Sequence, residues 1–142
     1  MRRALVVPVV LLALTACHVG PSTKNFAPAI GPNGIWADLQ LKGVRVEGEL
    51  LEVQDSGLLV LRKKRVPARQ RQPLVVTFVP LESIRRGRFD RYGTLIEDGA
   101  PVAKGALQRL RLVSRFPKGL TPEIRAALLT VHGQTEPDAA RP

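Results

Sequence analysis

Residues 44–62, VRVEGELLEVQDSGLLVLR, decide the fold of this chain. Apolar residues or glycine occupy every second position from 44 to 50, a period that is typical of a half-buried β-strand. The adjacent pair Leu50-Leu51 breaks the alternation and predicts a β-bulge near Leu51. Asp55-Ser56-Gly57 is a turn signal, and the apolar run Leu58–Leu61 predicts a strand buried on both faces. The stretch therefore predicts an antiparallel hairpin.

Strand signals continue on both sides of this hairpin. The alternation of Ala37, Leu39 and Leu41 predicts a strand before it. After it, the β-branched and aromatic run Leu74–Val79 is the strongest strand signal of the chain. Pro80 interrupts that run, and we expect residues 81–89 to resume in extended form.

The following residues predict a loop and a last strand. Residues 90–106 have the composition of a loop, with a turn at Glu97-Asp98-Gly99. In Leu107–Arg115, leucines at 110 and 112 alternate with arginines at 109 and 111, which indicates a strand with one apolar face.

A helix is predicted over about 121–132. Thr121 suits the N-cap position, and Pro122 suits the first helical position. Ile124, Leu128 and Val131 recur at i, i+4 and i+7, so we expect this stripe to pack on the sheet. Gly133 is a natural helix stop, and residues 134–142 are expected to form a disordered tail.

Together these elements predict a mainly β fold of about six strands with one C-terminal helix. A small bent antiparallel sheet or barrel is the expected architecture. Residues 43–89 resemble the Sm-like and SH3-like small β-barrels in the bent strand Val44–Gln54, the turn at 55–57 and the stretch Val79-Pro80-Leu81-Glu82-Ser83-Ile84. The resemblance implies a fold and not a function.

The N-terminal residues have the zones of a secretion signal. Arg2 and Arg3 precede the apolar segment Ala4–Leu14, which is too short to span a bilayer as a helix. The tetrapeptide Leu14-Thr15-Ala16-Cys17 resembles the lipobox of bacterial lipoproteins. The resemblance implies cleavage after Ala16, diacylglyceryl addition to the Cys17 thiol and acylation, such as palmitoylation, of the new amino group. An ordinary signal peptide with an incidental cysteine, or an N-terminal membrane helix, is the alternative.

This resemblance sets the expected domain organisation and location. Residues 1–16 form the signal peptide, 17–34 the lipidated N-terminus and a Pro/Gly-rich flexible tether, 35–133 a single β-rich domain and 134–142 the tail. The protein is then exported and membrane-anchored in the cell envelope. In Gram-negative bacteria an Asp after the lipidated Cys favours inner-membrane retention, so His18 favours the outer membrane.

Positive charge is the main compositional feature of the chain. The formal net charge is +10, and removal of Arg2 and Arg3 leaves 20 basic against 12 acidic residues, or +8. Such a surface favours anionic partners, or simply aids solubility. The basic residues form one cluster of Arg62, Lys63, Lys64, Arg65, Arg69 and Arg71, and a second of Arg85, Arg86, Arg88 and Arg91. Both clusters share one side of the domain if the second lies on the strand neighbouring the first.

Catalytic signals are weak. One Cys and two His, His18 and His132, leave no disulfide, no Cys-based metal site and little material for a nucleophilic triad. Glu47 and Glu49 share one strand face with Arg45, which is typical of a solvated charged face. No phosphate-binding loop or spaced set of metal ligands is present in the sequence, so we expect no cofactor and no enzymatic activity.

Three hypotheses remain open at this point. The first is a tethered, non-catalytic domain that binds or assembles with another envelope protein. The second is a direct binder of anionic lipids or envelope polysaccharides through the two basic clusters. The third is a carboxylate-based enzyme centred on Glu47, Glu49 or Glu52. The exported location and the few aromatic residues near the clusters disfavour nucleic acid.

Overall fold

The computed structural model describes residues 33–140 of the 142-residue chain. The predicted signal peptide, Cys17 and the predicted tether up to residue 32 lie outside the described residues. In chain order the elements are β1 (Trp36–Leu41), β2 (Arg45–Val53), β3 (Gly57–Lys63), β4 (Leu74–Pro80), a 3-10 turn (Leu81–Ser83), β5 (Ile84–Phe89), β6 (Gly93–Ile96), α1 (Lys104–Val113), α2 (Pro122–Val131) and β7 (Asp138–Ala139).

All seven strands in the described part of the chain belong to one open sheet. Their order is β6-β5-β1-β2-β3-β4-β7, antiparallel except for the parallel pair β4–β7. Pro80 ends β4, and the 3-10 turn carries the chain to the other side of β1, where β5 pairs. The mainly β fold class with a C-terminal helix is confirmed, with an additional helix and a sheet that does not close.

The predicted hairpin and its bulge are confirmed. β2 and β3 pair antiparallel, and the register shifts between Leu50 and Glu52. Before the shift, Val46 and Leu50 point to one face of the sheet. Leu51, at the shift, lies in a core cluster on the opposite face, and Val53 returns to the first face. The bulge therefore keeps Val53 in the same core as Leu50, where strict alternation would place Glu52.

The two cores lie on opposite faces of the sheet. The larger one contains residues of β1, β2, β3 and β5 together with Leu110 of α1. The smaller one covers only the β2–β3–β4 part of the sheet and is closed by Leu129 of α2. Alternate residues of β3 enter each core, Leu58 and Val60 the first and Leu59 and Leu61 the second, which confirms a strand buried on both faces.

The predicted strand over residues 107–115 is wrong, because this segment lies mostly in helix α1. Ala106, Leu110 and Val113 recur at i, i+4 and i+7 and are buried, whereas Leu112 is 39% exposed. The Leu/Arg alternation therefore coincided with a helical period. The expected loop over residues 90–106 is also wrong in part, since it holds β6 and the start of α1. Residues 81–83 form a 3-10 turn before the chain becomes extended.

The C-terminal helix is confirmed, but its orientation differs from the prediction. The Thr121 hydroxyl accepts a hydrogen bond from the Ile124 N–H, as expected of an N-cap. The residue packed in the core is Leu129, which is 4% exposed, while Val131 is 78% exposed. Of the predicted stripe only Leu128 packs against the sheet cluster. The helix is turned so that Arg125 and Leu129 face β2.

The predicted disordered tail is wrong for residues 134–140. The Gln134 side-chain amide accepts a hydrogen bond from the Val76 N–H at 2.7 Å and donates one to the Val76 carbonyl at 3.0 Å. β7 then pairs with Thr77 and Phe78 of β4. The tail is ordered because it satisfies backbone groups of an edge strand that would otherwise be open.

We expect Gly48→Ala to destabilise the domain by about 1–3 kcal/mol, because an added Cβ would overlap the Leu61 carbonyl oxygen and lie 2.8 Å from Val60 Cγ1. Gly105→Ala is the matched control. Gly105 lies in α1 with no atom within 4 Å of an added Cβ, so the free energy of unfolding should stay unchanged or rise by up to about 1 kcal/mol. Chemical denaturation measures both. Equal stability of the two variants would contradict the close β2–β3 packing.

Candidate functional site

The outer face of strands β5, β1 and β2 is the candidate site. β1 buries Ala37, Leu39 and Leu41, so Trp36, Asp38 and Gln40 project to the opposite side. Neither α2 nor the 116–120 segment packs over these residues in the described clusters. Trp36 is 52% exposed.

Register places three arginines around Asp38 and Gln40. On one side Arg88 is opposite Asp38 and Arg86 is opposite Gln40. On the other side Glu47 is opposite Asp38 and Arg45 is opposite Gln40. Side chains of directly opposed residues on one face lie close together, about 4.5–5.5 Å between Cβ atoms. These residues therefore form two short rows across three strands.

Arg45 is neutralised within this face. Its guanidinium donates two hydrogen bonds of 2.8 Å to the Asp38 carboxylate and contacts Glu47 Oε1 at 2.8 Å. The pKa of Asp38 is lowered, chiefly by the hydrogen bond from Arg45 and to a smaller extent by the charges of Arg45, Arg88 and Arg86. Asp38 therefore stays ionised at all but strongly acidic pH.

Arg86 and Arg88 form no ion pair on this face, although their charges act on Asp38. Neither side chain has a hydrogen-bond or ion-pair partner among residues 33–140, and both are exposed. Together with Asp38, Gln40 and Arg45 they line a hollow of about 250 Å³. Glu49 lies on the same face and pairs with Arg115, so four guanidiniums against three carboxylates leave this face positive. Planar guanidiniums suit phosphate or carboxylate groups.

The first basic cluster lies at the end of β3 and in the loop to β4. Arg62 is partly buried and donates a hydrogen bond of 2.8 Å to Thr77 Oγ1, and Lys64 Nζ lies 3.9 Å from Asp138 Oδ2. Among residues 33–140, the other four cations of the cluster have no such partner: Lys63, Arg65, Arg69 and Arg71.

The second basic cluster is not on a strand neighbouring the first. β5 pairs with β1 and β6, and β1 and β2 separate it from β3 in the sheet. Within β5, Arg85 is displaced by a register shift next to Leu41, and Arg85 Nη1 lies 4.0 Å from Asp98 Oδ2. Only Arg86 and Arg88 of this cluster share the outer face with β1.

The three carboxylates of the enzyme hypothesis all have structural contacts. Glu47 pairs with Arg45, and Glu49 accepts a hydrogen bond of 2.7 Å from the Gly34 N–H and pairs with Arg115. Glu52 is buried. Its Oε1 accepts from the Leu120 N–H at 2.8 Å, and its Oε2 accepts from Gln54 at 2.8 Å and Arg125 at 3.1 Å.

Metal and membrane-spanning features are also absent from the described part of the chain. Residues 33–140 contain no group of three or more His, Cys, Asp or Glu side chains placed to hold a metal ion. No helix within the same range has the length and apolar character needed to cross a bilayer. His132 is the C-cap residue of α2, while His18 lies outside the described residues.

Comparison of the chain with protein-family models, with curated proteins and with solved structures found no match. We therefore argue its function from its own residues.

Sequence reasoning identified Arg86 and Arg88 but missed Trp36, Asp38, Gln40 and Arg45 as their neighbours. A signal for the first three was present, because the polar phase of β1 must face away from Ala37, Leu39 and Leu41. The pairing of β1 with β5 could not be predicted from the sequence, since three other strands separate the two in the chain.

We expect Glu52→Ala to destabilise the domain by about 2–4 kcal/mol, because it leaves the Leu120 N–H and the Arg125 guanidinium without their acceptor. Glu47→Ala removes an exposed ion pair of the same strand and should cost less than about 1 kcal/mol. Thermal and denaturant unfolding compare the two. A Glu52 variant as stable as the Glu47 variant would show that Glu52 does not hold the α1–α2 connection on β2.

Proposed function

We propose that this chain is a membrane-anchored envelope lipoprotein whose β-rich domain binds other envelope components without catalysis. The observation that carries the proposal is the tetrapeptide Leu14-Thr15-Ala16-Cys17 directly after a basic and an apolar segment. Lipid on Cys17 attaches the chain to a bilayer through acyl groups. Two or more acyl chains hold a protein firmly at a bilayer, whereas one chain binds only marginally.

The entry of the chain into the domain supports a tethered arrangement. The Gly34 N–H bonds to Glu49, the Leu50 N–H bonds to the Ile35 carbonyl, and the Ile35 N–H bonds to the Val113 carbonyl. A Cβ at position 34 would overlap the Leu50 carbonyl oxygen and lie 2.7 Å from the Arg115 nitrogen. The domain therefore holds its first residues at a fixed place. The residues between Cys17 and Gly34 reach at most about 60 Å.

The contacts of the charged side chains support a binding role for the domain. Glu49 and Glu52 contribute their carboxylates to internal contacts, and Glu47 pairs with an arginine. By contrast, cations without partners among residues 33–140 are concentrated in the 63–71 region and on the outer face of β5. Such surfaces favour association with anionic material over reaction chemistry.

We expect the mature protein to have the mass of residues 17–142 plus its acyl groups, and Cys17→Ser to lose both the added mass and stable membrane attachment. Intact-mass measurement and flotation of membranes test this. His18→Ser is the matched control, since it changes the next residue and keeps the thiol. An unmodified N-terminus in the parent protein would reject the anchor.

A second candidate function is direct binding of anionic lipids or envelope polysaccharides. It is favoured by the four cations of the β3–β4 region that have no partner in the described range. At a membrane surface each such cation contributes about 1 kcal/mol, and added salt weakens the attraction.

For this candidate we expect the purified full-length protein in non-ionic detergent to be retained on an acidic polysaccharide resin and released by salt. Replacing Lys63, Arg65, Arg69 and Arg71 by Gln should lower the salt concentration that releases it. Arg62 is left unchanged because it bonds to Thr77. Retention identical to that of the parent would exclude a role for this region.

A further inference from the structure

We propose that the outer face of β5, β1 and β2 is the side of the domain that contacts an anionic phospholipid surface. In this contact Arg86 and Arg88 bind lipid phosphates and Trp36 lies at the level of the headgroups. The inference rests on the proposed function, because an anchored domain meets the bilayer at a high effective concentration, where weak contacts count.

The first support is the unequal pairing of the arginines on this face. Asp38 and Glu47 both form ion pairs with Arg45. Arg86 and Arg88 therefore have no ion-pair partner among residues 33–140, although both lie next to β1. They are two residues apart on one strand face, so their Cα atoms are separated by about 6.5 Å. Two guanidiniums at this spacing can contact the phosphate of one or of two neighbouring lipids.

The second support is Trp36. A half-exposed indole on a polar sheet face leaves apolar surface in water. The headgroup region of a bilayer, where tryptophan is enriched, would cover that surface. Trp36 precedes Asp38 by two residues and shares its face, beside Glu49 of β2. The β3–β4 loop, residues 64–73, holds cations but no aromatic residue. Only the outer face combines unpaired arginines with an exposed tryptophan among the described residues.

The third support is the point where the chain enters the domain. Glu49 shares the outer face with Arg45 and Glu47, because Val46, Gly48 and Leu50 occupy the other phase of β2. The Gly34 N–H bonds to the Glu49 carboxylate, so the chain reaches β1 on the side that carries Trp36. A lipid on Cys17 is thus connected to the domain next to the face that we assign to the membrane.

The hollow on this face suits a headgroup better than a polysaccharide. Its volume of about 250 Å³ lies below the range of about 300–1,000 Å³ that is common for small-molecule sites. Its lining is charged or amide throughout: Arg45 is bound to Asp38, which also lines the hollow, so Arg86 and Arg88 are the donors available to a ligand. The phosphate of a single headgroup matches these two guanidiniums.

Trp36 is the only tryptophan of the sequence, so its fluorescence reports on this face alone. The full-length protein, carrying its own lipid, is reconstituted into phosphatidylcholine vesicles with or without phosphatidylglycerol, and brominated lipids serve as quenchers. We expect a shorter emission wavelength and bromine quenching only when the anionic lipid is present. Raising NaCl from about 0.1 to 1 M shortens the Debye length from about 10 to 3 Å and should reverse both effects without any mutation.

Two variants that each remove two positive charges, one from each basic region, locate the contact, and a third variant keeps the charge. Arg86→Gln/Arg88→Gln should weaken the anionic-lipid contact about 30-fold, since two cations are lost. Arg86→Lys/Arg88→Lys, which keeps the charge, should retain most of it. Lys63→Gln/Arg65→Gln removes the same charge from the other basic region and should leave the Trp36 signal unchanged. Circular dichroism confirms that each variant is folded.

Three outcomes would overturn the inference. One is an emission that does not respond to phosphatidylglycerol. Another is a response that is lost in the Lys63/Arg65 variant and kept in the Arg86/Arg88 variant. The third is a response to soluble polygalacturonate or inorganic phosphate in the absence of a response to anionic vesicles. Failure of the lipid anchor gives a different result, because the parent protein then does not float with phosphatidylcholine vesicles. In that case the protein is added to phosphatidylglycerol vesicles, and the Trp36 fluorescence is measured in the same way.

Discussion

The bulge between Leu50 and Glu52 is the local feature on which the packing of both helices depends. Without the extra residue, strict alternation would place Leu50, Glu52 and Gln54 on one face and would carry a carboxylate towards the larger core. With it, Leu50 and Val53 stay in the larger core, which α1 closes through Leu110. Leu51 and Glu52 turn to the other face, where the smaller core and the α1–α2 connection lie. The inserted residue thus keeps the Glu52 carboxylate out of the larger core and Val53 in it.

The sequence predicted the elements whose signals are local. The β2–β3 hairpin, the bulge and the cap at Thr121 each depend on residues that are close in the chain. Helix α1 was missed because Arg109-Leu110-Arg111-Leu112 alternates with a period of 2, and only tertiary packing selects the buried set Ala106, Leu110 and Val113. The order of residues 134–140 was missed because the Gln134–Val76 hydrogen bonds join residues 58 positions apart. Nothing in the composition of the tail indicates this partner.

The candidate face shows the same division between local and long-range information. Arginines 86 and 88 are visible as part of a basic run, but the run alone does not tell which of its members lack partners. The answer depends on the strand register. Arg85 is shifted towards Asp98, whereas Arg86 and Arg88 lie beside Asp38, whose carboxylate already binds Arg45. In the other cluster, Lys64 pairs with Asp138, and Arg62 is held at the sheet by its hydrogen bond to Thr77. The number of basic residues therefore overstates the positive charge that is available for binding.

Asp38 explains how three arginines share one small face without destabilising the sheet. Like charges placed directly opposite on neighbouring strands repel each other. Here the row through Asp38 contains Arg88, Asp38 and Glu47, and its two directly opposed carboxylates are both ion-paired with Arg45. The row through Gln40 puts an amide between Arg86 and Arg45. No two cations are direct cross-strand partners in either row. The lowered pKa of Asp38 keeps its negative charge in place as pH falls towards the ordinary range of a carboxyl. The same arrangement places the carboxylates Asp38 and Glu47 on β1 and β2 and leaves only Arg86 and Arg88 as charged residues of β5 on this face.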